Sequence, residues 1–157
     1  MTSDLEEKLV TALKSKGAHI SFAESCTGGL LAAGLVNVSG ASEVFEASFV
    51  TYSNAQKCKV LGVKEESIEA YTEVSGIVAE QMAKGAKEKA GADYALSTTG
   101  YAGPTGGTKE NPVGTVYIGV ATPESVKSYR YVFSGSREEV RNAAVEKAYQ
   151  LLLEAFA

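Results

Sequence analysis

A short apolar run at residues 18–22 passes through Ala23-Glu24-Ser25-Cys26-Thr27-Gly28-Gly29 directly into a helical pattern at residues 30–38. A strand that feeds a helix in this way leaves its turn at the carboxyl edge of a sheet, where open α/β folds bind ligands. Ser25 and Thr27 bring hydroxyls to that turn. Gly28 and Gly29 lack a Cβ, so a ligand can approach the backbone closely, and the amides that open the helix carry the positive end of its dipole. The same residues suit a plainer role, with a hydroxyl capping the helix and the glycines packing it against the strand. This segment alone leaves both readings open.

The rest of the chain repeats the unit. Leu5, Leu9, Val10 and Leu13 recur at helical spacing, and Lys16-Gly17 ends that first helix. Residues 44–52 are rich in β-branched and aromatic side chains and read as a second strand, whose polar end at Ser53-Asn54 can cap a helix over 55–61. A short helix over 64–71 precedes a longer one over 76–90, capped by Ser75, with Ile77, Val78 and Met82 facing inward. Residues 93–98 form a third strand. The stretch from Thr99 to Gly107 holds four glycines and a proline, so it must either move or wrap something closely. Strands over 113–121 and 126–133 flank Thr122-Pro123-Glu124-Ser125 as a hairpin, and a final helix runs over 137–156. One hairpin among crossover connections requires a mixed sheet. The expected architecture is a three-layer α/β/α sandwich on a mostly parallel sheet of about five strands, one domain over residues 1–157.

Composition narrows the function. The 157 residues are 45% hydrophobic, enough for one sizeable core. Two cysteines, Cys26 and Cys58, are too few for a disulfide framework, and with one histidine they do not form a zinc pattern. No apolar stretch has transmembrane length, and Thr2, Ser3 and Asp4 are unlike a signal peptide; a cytoplasmic protein without membrane partners is expected. A net charge of -4 with no Lys/Arg block speaks against nonspecific nucleic-acid binding.

A serine nucleophile needs a base, and His19, within the first strand several residues before Ser25, is poorly placed for a Ser-His-Asp triad. Lysine can serve if burial lowers its pKa. Lys57 lies one turn into the helix that follows Tyr52-Ser53-Asn54, where its amine can reach toward Ser25 and Tyr52 can orient the pair; as an ordinary helix residue it would instead be solvated. Cys26 competes with Ser25, since a thiolate at a helix N-terminus is activated, although a free cysteine is often a small buried hydrophobe. Arg137 opens the final helix after Ser134-Gly135-Ser136 and can clamp a phosphate, or simply pair with Glu138 or Glu139. Arg141 shares its face.

Taken together, Ala23-Glu24-Ser25-Cys26-Thr27-Gly28-Gly29, Tyr52-Ser53-Asn54, Lys57, Leu61-Gly62-Val63, Val74-Ser75, Gly100, Ala102-Gly103-Pro104, Gly106-Gly107, Pro112-Val113-Gly114-Thr115-Val116 and Gly135 with Arg137 resemble the C-terminal domain of the competence-damage-inducible CinA family. The resemblance covers nearly the whole chain and implies an α/β/α sandwich on a five-stranded mixed sheet. It implies hydrolysis of the carboxamide of nicotinamide mononucleotide to nicotinate mononucleotide and ammonia, with no metal and no cofactor, in a homo-oligomer. Carried over, Ser25 is the nucleophile, Lys57 the base and Tyr52 a supporting hydroxyl. Thr27, Gly28, Gly29, Asn54, Thr99, Gly100, Tyr101, Ala102, Gly103, Gly106 and Arg137 are the substrate-binding set. The chain departs from the family pattern at Tyr101, usually a small aliphatic residue, and at Thr105 and Ser136, both usually aspartate. Tyr101 can stack on a pyridine ring or narrow the pocket. The departures also admit a regulatory nucleotide-binding module without turnover, or an amidase for a related nucleotide.

Overall fold

The structure, a computed structural model, describes residues 4–156. Five strands form one sheet in the order β2-β1-β3-β4-β5, where β1 is Ile20–Glu24, β2 Phe45–Val50, β3 Tyr94–Gly100, β4 Thr115–Ala121 and β5 Val126–Val132. The first three are parallel, whereas β4 runs antiparallel to both β3 and β5. The mixed sheet read from the single hairpin is therefore present, between helical layers.

Alternation along the strands divides two cores. Ile20 and Phe22 of β1 point into one, with Leu96, Val116 and Ile118. Against them pack α1 (Asp4–Lys16) through Leu9 and Leu13, α2 (Leu30–Val36) through Leu31 and Leu35, and α6 (Arg137–Phe156) through Val140, Ala144 and Tyr149. Ala23 of β1 points the other way, joining Ala95 and Ala121 under α3 (Asn54–Leu61), α4 (Glu65–Tyr71) and α5 (Gly76–Ala90). This second face is lined by small side chains, so its helices lie close. A Cβ at Gly85 of α5 would sit 2.0 Å from the Leu61 carbonyl oxygen, so glycine at that point admits the end of α3. The close approach fixes where the residues one turn earlier in α3 can reach.

Several expected boundaries move. β1 begins two residues late and takes in Ala23 and Glu24, because both pair with β3. β3 extends through Thr99 and Gly100, which pair with Tyr117 and Val116, so the glycine-rich loop starts at Tyr101. The helix expected over 30–38 ends at Val36, before a single 3-10 turn at Ala41–Glu43. Ile77, expected inward, is 38% exposed, whereas Val78 and Met82 are fully buried. The helical period places Val78 and Met82, four apart, on one stripe and turns Ile77 off it.

Candidate active site

The carboxyl ends of the three parallel strands converge. The Ser25 amide donates to the Thr98 carbonyl at 3.1 Å and the Thr51 amide to the Glu24 carbonyl at 2.9 Å, so sheet pairing extends beyond β1 and holds both following residues. Ser53 caps α3 by accepting from the Gln56 amide. One turn into that helix is Lys57, only 1% exposed. Its Nζ donates to Ser25 Oγ at 3.1 Å, to the Thr51 carbonyl at 3.1 Å and to the Tyr52 carbonyl at 3.3 Å. Among the described residues no carboxylate forms an ion pair with it. Burial pushes the Lys57 amine below the ordinary lysine value, with the negative charge of Glu73 opposing that shift.

Those three contacts match the hydrogen-bonding capacity of a neutral amine. Two N–H bonds can go to the two carbonyls, which leaves the lone pair for the Ser25 hydroxyl to donate into. The same three oxygens could also accept from the three donors of an ammonium, so it is burial without a carboxylate in ion-pair contact among the described residues that favours the neutral form.

The turn after Ser25 is built around Glu24, which is fully buried. Its carboxylate accepts from Thr27 Oγ1, Ser48 Oγ and the amides of Gly29, Leu31 and Ala32, at 2.6 to 3.2 Å. A negative charge thus already occupies the N-terminus of α2. The amides expected to receive a ligand anion are engaged internally: Gly29 serves Glu24, and Gly28 donates to the Ser25 carbonyl. Thr27 is fully buried, with its hydroxyl between Glu24 and Thr98. The two glycines have φ of +56° and +108°, so they supply left-handed backbone to the turn. The amide of Thr27 makes no hydrogen bond among the described residues. Glu24→Gln replaces an acceptor of five bonds by an amide that turns two donors toward them. It is expected to cost about 3–5 kcal/mol of stability, measured by chemical denaturation.

The other candidates fall in two places. Tyr52 is 63% exposed; its carbonyl touches Lys57, and its hydroxyl accepts from Arg137 Nη2 at 3.1 Å. Arg137 Nη1 donates to the Gly103 carbonyl at 2.8 Å, so this guanidinium ties the start of α6 to the glycine-rich loop and to Tyr52. In that loop Ala102 and Gly103 are buried, Tyr101 is half-buried, and Gly106 is exposed beside the Tyr101 ring. Gly100 ends β3, Thr99 donates to the Glu73 carbonyl at 2.7 Å, and Asn54 is exposed at the start of α3. His19 precedes β1, at the opposite edge of the sheet from Ser25, with Nδ1 2.7 Å from Glu46 Oε2. Cys26 is 6% exposed, and burial pushes its thiol up to about 11.

Sequence reasoning missed Glu24 as the organiser of the turn, the two carbonyls that hold Lys57, and Glu73. A buried carboxylate that reaches amides five to eight residues ahead has no spacing rule, and main-chain acceptors leave no trace in residue type.

Residues 2–156 match the family model described as the CinA C-terminal domain. A protein of Caldicellulosiruptor saccharolyticus, provisionally named competence-damage inducible, is 52% identical over 148 residues, covering 94% of this chain and 36% of that protein. The chain thus spans about a third of the length of such relatives. The nicotinamide-nucleotide amidohydrolase PncC of Shigella flexneri is 45% identical over 153 residues, covering 97% of this chain and 93% of that protein. Among solved structures, the competence/damage inducible protein CihA of Agrobacterium tumefaciens superposes with a TM-score of 0.93 at 37% identity, covering 96% of this chain and 93% of that one. Among the described residues, no helix is long and apolar enough to cross a membrane.

Proposed function

The chain belongs to the CinA C-terminal domain family, and from that premise we propose that it hydrolyses the carboxamide of nicotinamide mononucleotide, releasing ammonia and nicotinate mononucleotide, with Ser25 as nucleophile and Lys57 as base. The observation that carries this reading is the buried Lys57 amine 3.1 Å from Ser25 Oγ, held by two carbonyls and, among the described residues, by no carboxylate. The likeness to the Shigella flexneri nicotinamide-nucleotide amidohydrolase over nearly both chains supports a nicotinamide nucleotide as the substrate.

Neutral Lys57 accepts the Ser25 proton as Oγ bonds to the carboxamide carbon, and the carbonyl oxygen takes up the negative charge. When the carbon–nitrogen bond breaks, the proton on Nζ leaves with the nitrogen as ammonia. A water molecule then gives a proton to Nζ and its hydroxyl to the acyl carbon, Nζ returns that proton to Ser25, and the product acid departs and loses its proton to solvent as nicotinate mononucleotide. Each proton taken is given back, so the cycle needs no external acid. Tyr101 offers a ring face to the cationic pyridinium. Arg137 stands close to Tyr52 and the loop, where a phosphate would draw its guanidinium from the two oxygens it now serves.

The test is ammonia release from nicotinamide mononucleotide, nicotinamide riboside and nicotinamide by the purified protein. Turnover is expected to be highest on the phosphorylated compound. Binding of all three without ammonia from any would leave a nucleotide-binding module instead.

A further inference from the structure

Arg141 is a cationic group on the Ser25 turn that the proposed chemistry does not use. Its Nε donates to the Cys26 carbonyl at 2.9 Å and its Nη2 to the Thr27 carbonyl at 3.0 Å. A Cβ at Gly28 would lie 3.1 Å from that Nη2, so the turn leaves room for the guanidinium at the residue that follows its two acceptors. A planar fork on two successive carbonyls fixes the orientation of both peptide planes.

That orientation has a consequence on the other side of the turn. In a trans peptide the N–H points opposite to the C=O, and the only cis bond among the described residues is Gly103-Pro104. Drawing the Cys26 carbonyl toward α6 therefore turns the Thr27 N–H away from it. α6 packs on one face of the sheet and α3, which carries Lys57, on the other. The Thr27 amide is thus directed toward the side from which Lys57 reaches Ser25, and among the described residues it makes no hydrogen bond. The next amide, Gly28, is turned the same way and closes the turn on the Ser25 carbonyl.

We propose that Arg141 is a positioning residue: its guanidinium holds the Cys26-Thr27 peptide so that the Thr27 amide faces the oxyanion formed when Ser25 attacks. The inference rests on Ser25 being the nucleophile, and it assigns to a side chain behind the turn the orientation of the one amide left to meet the oxyanion.

The test uses two readouts on the full chain. One is ammonia release from nicotinamide mononucleotide; the other is the rate at which an aryl fluorophosphonate labels Ser25, which requires the nucleophile and the oxyanion donor but not the nucleotide. Arg141→Ala is expected to lower kcat and the labelling rate by about 100-fold, the loss typical of one oxyanion donor, with KM little changed. Millimolar guanidinium should restore much of both. Arg141→Lys, which keeps the charge but not the fork, should remain folded and still lose most of the rate. Unchanged labelling in Arg141→Ala would overturn the inference. So would a loss that merely follows the folded fraction and is not restored by guanidinium. Labelling of the wild type without ammonia from any substrate would remove the amidase reading alone, since the effect of Arg141 on labelling would still be measured.

Discussion

Ser25→Ala is expected to reduce ammonia release from nicotinamide mononucleotide by about 1,000-fold or more, because no other group is placed to form the acyl intermediate. The competing nucleophile is the adjacent Cys26, and its environment argues against it. Attack requires the thiolate, and a thiol held near 11 by burial is ionised in only about one molecule in 10,000 at pH 7. Its side chain sits in the core beneath α6, whereas Ser25 Oγ meets Lys57 on the other side of the sheet. Cys26→Ala is accordingly expected to keep near-wild-type turnover. Ser25→Ala should still bind the nucleotide, measured by calorimetry, since the hydroxyl is a reacting group and not a principal anchor. Its stability should fall by only about 1 kcal/mol, the usual net worth of one hydrogen bond. Substantial ammonia release from purified Ser25→Ala would exclude the serine mechanism.

The layers of this fold were legible because its signals are local and repeated. Strand-like runs ended at polar turns, helical periods followed them, and one Thr-Pro-Glu-Ser hairpin required antiparallel pairing, which occurs between β4 and β5. Boundaries shifted where tertiary pairing prevailed: Thr99 and Gly100 read as loop but extend β3, because β4 lies alongside to pair with them. The proximity of Ser25 and Lys57 could be anticipated from topology, since both follow parallel strands that end at one edge. What surrounds them could not. Whether a lysine in a short helix is solvated or 1% exposed depends on how closely α3 meets α5, which turns on Gly85, a position remote in sequence. The α2 amides looked available for an anion because nothing in residue type showed that the Glu24 carboxylate already fills that place. Tyr52 entered through its hydroxyl, yet the atom that touches Lys57 is its carbonyl.

Lys57 gives the second large effect, and two substitutions separate a base from a fixed positive charge. Lys57→Met removes the amine and keeps the approximate length and apolar character of the side chain; turnover is expected to fall by about 100- to 10,000-fold, the range for loss of a general base. Lys57→Arg keeps a positive charge but cannot become neutral at any accessible pH, so it should be as inactive as Lys57→Met. A purely electrostatic role would instead leave the arginine variant partly active. The two variants should also differ in stability, read by denaturant titration. The methionine gives up contacts to Ser25, Thr51 and Tyr52 but no longer buries an ionisable amine without a counter-ion, so its net change should be small. The larger guanidinium has to enter a closely packed site, and overpacking costs about 1–3 kcal/mol. The pH dependence follows from the direction of the shift. Burial lowers the folded-state value below the unfolded one of about 10.4, so kcat/KM should rise with pH and level off once Nζ is neutral, at a pH below that of a free lysine. Across the same window the unfolded chain binds the extra proton, and the contribution of Lys57 to stability therefore increases with pH. That increase should be absent from Lys57→Met. An activity limb at the value of a free lysine would mean that the amine gains nothing from its burial and would remove it as the base at neutral pH.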